Sequence, residues 1–357
     1  MFKHLIVIEP LGLLYGSAGK FLSPENLVGR SGTSFPPSAA TLSGIFAANF
    51  SREKIENLQL AGPFWAWNRN PQNFYVPTPF NCLVKDGEIQ HIMEWHCVVK
   101  ERKIQPIRKD LKWQVKNQRE EWEKPPDDKY DKGTWIAISD WQKLRDRKKF
   151  SVEKEGIWKF IPHLHPRLQE EQRRVVAPEE EPERGSLFLE NGVQLNPDAC
   201  LIYLSNTEIS DGWYRFGGEG HLVDLHCCNN IGPTITDLLN EDLGRSFALI
   251  TPAIWGSQRL SYRAPQRDDR GEPSWPDNTI CAMLTERPTP TRYRLGNSPL
   301  PRSREAKTLS RGRYAIPAGT VYVLEKAIGN WQSWPEDWFP REGVSFKRWG
   351  CSLALPL

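Results

Sequence analysis

The chain has 357 residues, 39% of them hydrophobic and 25% charged, with a formal net charge of +3. That length exceeds what one core usually holds, so two domains are expected. No stretch approaches the ~20 apolar residues of a membrane span, and the apolar run at residues 2–8 is too short for a signal peptide, so a cytoplasmic protein is expected. Residues 5–8 read as a buried strand stopped by Glu9-Pro10. Gly16-Ser17-Ala18-Gly19-Lys20 follows, and Pro36-Pro37-Ser38 opens a helix whose apolar face is Leu42, Ile45, Phe46 and Phe50. Strand, glycine loop and helix begin a β-α-β-β-α-β unit of the ferredoxin-like kind. Residues 76–84 and 88–95 flank Lys85-Asp86-Gly87, where Asp-Gly favours a tight hairpin turn.

From residue 100 to about 166 the pattern loosens into a charged, Trp-studded segment broken by Pro125-Pro126, read as a partly helical insertion. A polar loop at residues 179–183 has no core face. The strand pattern then resumes at 187–189 and 200–204, with Asn191-Gly192 between them. Residues 213–224 contain Gly217-Gly218-Glu219-Gly220 and continue as a strand to 225. A short helix is expected at 234–243, a strand at 247–251 stopped by Pro252, and further apolar runs at 320–324 and 351–355. These supply a second α+β unit, and no repeat of solenoid period is visible.

Charge and aromatics are unevenly placed. Residues 100–149 carry sixteen Lys/Arg against ten Asp/Glu, and residues 287–313 carry eight against one, Glu305. Segregated basic tracts suit a polyanion, although a charge run is often only a solvated face. Fifteen Trp are available for base stacking or protein interfaces, with most expected in the core.

Catalytic and metal motifs fail on detail. A P-loop needs Gly six residues before Lys20 and Ser/Thr after it, but Leu14 and Phe21 stand there. The loop is read either as backbone N–H groups near a phosphate with Lys20 beside them, or as a simple turn. Three glycines among Gly217-Gly218-Glu219-Gly220 imply geometry or an approach that a Cβ would block, and Glu219 has no His or Ser partner at a suggestive spacing. His221, His226, Cys227 and Cys228 lack a second CxxC, and adjacent strand residues face opposite ways, so no metal site is expected. The seven Cys follow no disulfide framework and are expected to be reduced thiols.

In order along nearly the whole chain, several segments resemble the third RAMP subunit (Cas-five-like) of the type III-B CRISPR (Cmr) effector complex. Ile8-Glu9-Pro10-Leu11 with Leu14-Tyr15-Gly16 is similar to that family's opening, and Phe35-Pro36-Pro37-Ser38 with Thr41-Leu42-Ser43-Gly44 to its helix start. His165-Pro166-Arg167 and Gly185-Ser186-Leu187-Phe188 resemble its centre, and Arg215-Phe216-Gly217-Gly218-Glu219-Gly220 its glycine-rich signature. Leu249-Ile250-Thr251-Pro252-Ala253 and the run from Ala315 to Tyr322 resemble its later strands. Two departures stand out: Gly16-Ser17-Ala18-Gly19 where the family has an Arg-Asp-Gly-type stretch, and Trp349-Gly350-Cys351 in place of Gly-aromatic-Gly.

The resemblance implies an α+β chain of two ferredoxin-like (RRM-like, RAMP) domains, placed at 1–185, with the insertion at about 97–165, and at 186–357. It implies no catalytic site, cofactor or metal. The implied function is capping the repeat-derived 5′ tag of the CRISPR RNA in an antiviral ribonucleoprotein, beside the large palm-domain subunit and the backbone RAMP subunit, away from membranes. The candidate RNA-binding residues are Gly16, Ser17, Gly19, Lys20, Ser38, His165, Arg167, Arg215, Gly217, Gly218, Gly220, Arg292, Arg294, Arg302 and Arg304. They provide the phosphate neutralisation and close backbone approach that a held single strand needs. Two rivals remain: a repeat-RNA endonuclease using His165 or His221, and a purely protein-binding scaffold.

Overall fold

Leu5, Ile6, Val7 and Ile8 are all buried, which requires a strand covered on both faces. The computed structural model describes residues 1–15, 35–100, 103–106, 113–117, 119, 121–154, 156–166, 174–175, 187–217, 220–256, 260–293 and 310–357. Its principal elements begin with β1 (His4–Pro10), β2 (Leu14–Tyr15), α1 (Ala39–Asn49), β3 (Leu60–Trp67), β4 (Tyr75–Pro77), β5 (Cys82–Lys85) and β6 (Glu88–Ile92). Next come β7 (Trp135–Ala137), α2 (Trp141–Arg145), β8 (Trp158–Pro166), β9 (Leu187–Leu195), β10 (Ala199–Ser205), β11 (Gly212–Phe216), β12 (His221–Cys228) and α3 (Pro233–Asn240). The C-terminal part adds β13 (Gly244–Leu249), β14 (Ile280–Leu284), β15 (Thr289–Thr291), β16 (Arg313–Ala315), β17 (Val321–Ile328) and β18 (Ala354–Pro356). The chain is therefore mixed α/β and rich in strands, distributed over several sheets.

A seven-stranded antiparallel sheet runs β7-β4-β3-β10-β1-β12-β11. Side chains alternate across it. Ile6 and Ile8 join Leu201, Tyr203, Val223 and Leu225 beneath Leu42, Ile45 and Phe46 of α1. Leu5, Val7, Phe64 and Ile202 face the other way, into a core shared with Phe247, Leu249 and Leu355 of the C-terminal part. The large sheet is thus a middle layer, and α1 lies on its outer face. The second sheet runs β14-β17-β13-β18, all antiparallel. Its strands lie in the order second, third, first, fourth along the chain, and β3-β10-β1-β12 repeat that order in the large sheet.

The strand pairing does not follow the division expected between residues 185 and 186. β10 and β12 flank β1 on both sides, so residues 199–228 complete the sheet that residues 4–10 begin. A strand apolar on both faces needs partners at both edges, and those partners come from the far side of the expected boundary. The charged segment is also woven in. β7 pairs with β4, and the fully buried Trp141 donates its indole N–H to the Pro356 carbonyl at 2.8 Å. Its helical portion is α2 with a preceding 3-10 turn, and short strands make up much of the rest.

Local chemistry explains the other differences. The run expected at 76–84 is split between β4 and β5, because Pro77 and Pro79 lack the N–H that a continuing ladder requires. The Asp86-Gly87 turn forms as expected, with φ of 56° and 75°. Asn191-Gly192 does not interrupt β9, where it pairs with Pro162 and Ile161 of β8. β3 is additional to the expected strands. Gly62-Pro63 breaks its pattern, and Gly62 is required because a Cβ there would lie 2.9 Å from the Tyr203 ring.

Candidate nucleic-acid interface

The start of α1 is fixed from below. Tyr203, fully buried in β10, donates its hydroxyl to the Pro37 carbonyl at 2.6 Å, and burial pushes its phenol pKa well up. Ser38 is the extended N-cap residue, yet its side chain makes no capping hydrogen bond, and the first turn of α1 carries no acidic residue. The helix therefore presents backbone N–H groups and their partial positive charge with no carboxylate in its own first turn to offset them.

The glycine cluster sits over this helix start. It is the turn of the β11–β12 hairpin, in which Phe216 pairs with His221 and the Gly220 N–H donates to the Gly217 carbonyl at 3.2 Å. Gly217 and Gly220 have φ of 78° and 69°, which favours glycine. A Cβ on Gly217 would lie 3.9 Å from the Thr41 methyl, placing the turn beside the first turn of α1. A Cβ on Gly220 would lie 3.6 Å from Arg215 Nη1, so the exposed Arg215 side chain runs along the same turn. Phe216 is buried against Tyr203 at 6.4 Å and anchors the hairpin. Ser38, Gly217 and Gly220 are therefore brought together from two distant stretches of sequence, while Arg215, between Tyr214 and Phe216 that pack on the α1 side, follows the turn from the sheet's other face.

The other candidates divide. Arg292 and Tyr293 are tied to Ser310: Arg292 Nε donates to the Ser310 carbonyl at 2.6 Å, while the Tyr293 N–H donates to Ser310 Oγ at 2.8 Å. Tyr293 packs on Trp349, which also packs against the cluster beneath α1. The backbone of His165 lies in β8 opposite Phe188. Gly16, Ser17, Gly19, Lys20, Arg167, Gly218, Arg294, Arg302 and Arg304 lie outside the described residues.

Of the sixteen basic residues in the first tract, five among the described residues meet a carboxylate within the chain. Lys132 meets Glu286, Lys143 meets Asp140, Arg145 meets Glu241, Arg147 meets Glu94 and Lys148 meets Asp146. Such exposed pairs add little stability, but they remove net field from a surface. All fifteen Trp lie among the described residues; Trp213, at 70% exposed, is the only one on open surface. The sequence does not single it out, although the alternation of Trp213, Tyr214, Arg215 and Phe216 on an edge strand carries the signal. The buried thiols are poor nucleophiles, burial pushing Cys200 and Cys351 up to about 12. Among the described residues no three His, Cys, Asp or Glu side chains group as metal ligands, and no helix is long and apolar enough to cross a membrane.

These features define a strand-rich α/β protein in which a helix start meets a glycine turn. Residues 7–357 match the family of the CRISPR-associated protein Cmr3 (Cas_Cmr3). The chain belongs to that family, and so is a component of a type III CRISPR effector. No curated protein matches the chain by sequence. Among solved structures, a chain of the Type III-B Cmr-beta complex bound to cognate target RNA is similar at 11% identity, covering 89% of this chain and 86% of that one, with a TM-score of 0.48. A chain of the same complex with target RNA and AMPPnP gives 10% identity, 89% and 86% coverage and a TM-score of 0.44. A chain of the Csm3-Csm4 subcomplex of the type III-A interference complex gives 11% identity, 92% and 94% coverage and a TM-score of 0.36.

Proposed function

We propose that the chain is the non-catalytic subunit that holds the repeat-derived 5′ tag of the CRISPR RNA and joins the large palm-domain subunit to the backbone RAMP subunit. The observation that carries this reading is the meeting of Ser38, Gly217 and Gly220 at the start of α1, whose own first turn holds no acidic residue, with Arg215 following the same turn from the sheet's other face. Backbone N–H groups, a guanidinium and missing Cβ atoms suit a phosphodiester strand and supply no general acid–base pair. The strand orders of the two sheets support reading them as two ferredoxin-like units, from which the helix between third and fourth strands has been lost in the first. Incubation of the purified chain with repeat RNA is expected to give no cleavage at any pH, and cleavage would favour the endonuclease reading.

Two sets of variants test the surface. Gly217→Val forces a β-branched residue to φ 78°, at a cost of about 1–2 kcal/mol, yet the space beside it is open enough for the fold to survive. We expect a folded protein whose reconstituted complex protects the tag at least tenfold less well, while Glu219→Gln behaves as wild type. Tag protection unchanged in Gly217→Val would remove the turn from the RNA site. Neutralising Arg292, Arg294, Arg302 and Arg304 together is expected to weaken RNA binding uniformly across sequences. The salt slope should fall by about 0.7 for each phosphate that is no longer neutralised. An unchanged affinity and slope would assign that tract to protein or solvent.

A further inference from the structure

At the outer edge of the large sheet, β1, β12 and β11 lie side by side in register. One row across them is Glu9, Asp224 and Trp213. In the next row Arg215 pairs with Leu222, whose carbonyl accepts the Leu11 N–H at 3.1 Å. Cross-strand partners share a face, as do residues two apart. Trp213, Arg215, Leu222, Asp224 and Glu9 therefore tile the face opposite α1, with Leu11 at its margin. Further along β1 on that same face, Leu5 and Val7 are covered by the C-terminal part. Here the cover stops: Trp213 is 70% exposed, Leu11 49% and Leu222 46%. A hollow of about 350 Å³ borders Glu9 and Leu11 on the other side of β1, away from β12 and β11, and is closed by Leu195 and Pro197.

The charge around this apolar patch has a definite sign. Glu9, Asp224 and Asp211 border it, with Asp211 held by the Cys227 N–H at 2.7 Å and 3.5 Å from His226 Nδ1. Arg215 stands at the corner nearest the glycine turn. Among the described residues, three carboxylates face one guanidinium here, with the His226 ring between Asp211 and Asp224 at 3.5 and 3.7 Å, a balance that repels a polyanion and attracts a cation. β11 is also the last strand of its sheet, so among the described residues its outer edge carries no further strand. An open edge beside an apolar patch is what an added strand recognises.

We propose that this face docks an extended, basic segment of a partner protein subunit. The segment pairs with the edge of β11, sets an apolar side chain against Trp213 and Leu222, and places Lys or Arg toward Asp224, with Glu9 adding to the negative field behind it. The glycine turn then divides two surfaces, RNA on the α1 side and protein on this one. The inference rests on family membership and the geometry of this face, not on the tag-capping reading.

The test uses the full chain with the remaining purified protein subunits of its own Cmr complex, without RNA, and measures affinity by biolayer interferometry. Trp213→Ala and Asp224→Lys are each expected to lower that affinity at least tenfold. Neither should change RNA binding by the isolated chain more than twofold. Thermal melts establish folding, and Trp213→Ala removes a side chain so exposed that it serves should Asp224→Lys unfold. Unchanged assembly with both variants would overturn the proposal. So would a loss of RNA affinity in Trp213→Ala with assembly intact, which would make the ring a base-stacking platform. Self-association of the isolated chain that Trp213→Ala abolishes would also overturn it, by naming a second copy as the occupant.

Discussion

Gly350→Ala is expected to destabilise the protein more than any surface change. Gly350 ends the 3-10 turn Phe346–Trp349 in the left-handed region, with φ 65° and ψ 22°. A Cβ there would stand 2.4 Å from Ala61 Cβ, 2.5 Å from Ala61 Cα and 2.7 Å from the Leu60 carbonyl oxygen. Two of those three atoms are backbone of β3, which is pinned to β10 through Leu60–Ser205 and Ala61–Leu204. Neither side can yield. Gly350 also offers its carbonyl to Thr251 Oγ1 at 2.6 Å, so a shift would break a buried hydrogen bond. Left-handed strain plus overpacking comes to about 3–5 kcal/mol, a large share of ordinary stability. The melting temperature should drop on the order of 10 °C. Gly244→Ala is the control, since Gly244 has φ 66° but nothing within 4 Å of its Cβ position. It should cost only the conformational part, about 1–2 kcal/mol. Equal losses in the two variants would mean that close packing on β3 is not what requires glycine at 350.

A second large effect is expected at Arg313. This residue lies in β16 and is 3% exposed, with Nη2 3.0 Å from Glu342 Oε1 and its guanidinium 5.5 Å from the Phe346 ring centre. The Glu342 side chain is itself 12% exposed. Arg313→Met fills similar space but strands a carboxylate in the interior, and removing one partner of such a pair costs about 3–5 kcal/mol. Adding Glu342→Leu to that variant removes the stranded charge and should recover much of the loss. Urea unfolding of the two single variants and the double variant measures the coupling. If the losses simply add, the pair is not a buried unit.

Arg313 also shows where a reading of the linear sequence stops. It is one of the eight basic residues of the second tract, and nothing in its neighbours marks it as interior. The acid that pairs with it is 29 residues away in sequence. The first tract makes the same point, since Arg145 and Glu241 are paired across 96 residues. Local sequence predicts how much charge a segment carries. It does not predict which charges are cancelled by the fold.

What the sequence determined by itself was whatever depends on short range or on a long ordered series of motifs. The strand at residues 5–8, the helix after Ser38, the Asp86-Gly87 turn and the family were all legible from neighbouring residues. So was the glycine cluster, because three glycines in four positions have few other uses. The tertiary structure alone decided which strands pair. β10 and β12 reach β1 from far along the chain, pairing Ile8 with Leu201 on one side and with Leu225 on the other. The same pairing carries the Gly217 turn to the first turn of α1 and leaves Trp213 exposed at a sheet edge. The physical reason is that the hydrogen bonds of a ladder are the same for every residue type. A strand announces that it needs partners without naming them, and the choice is made by how the apolar faces of the whole chain fit together.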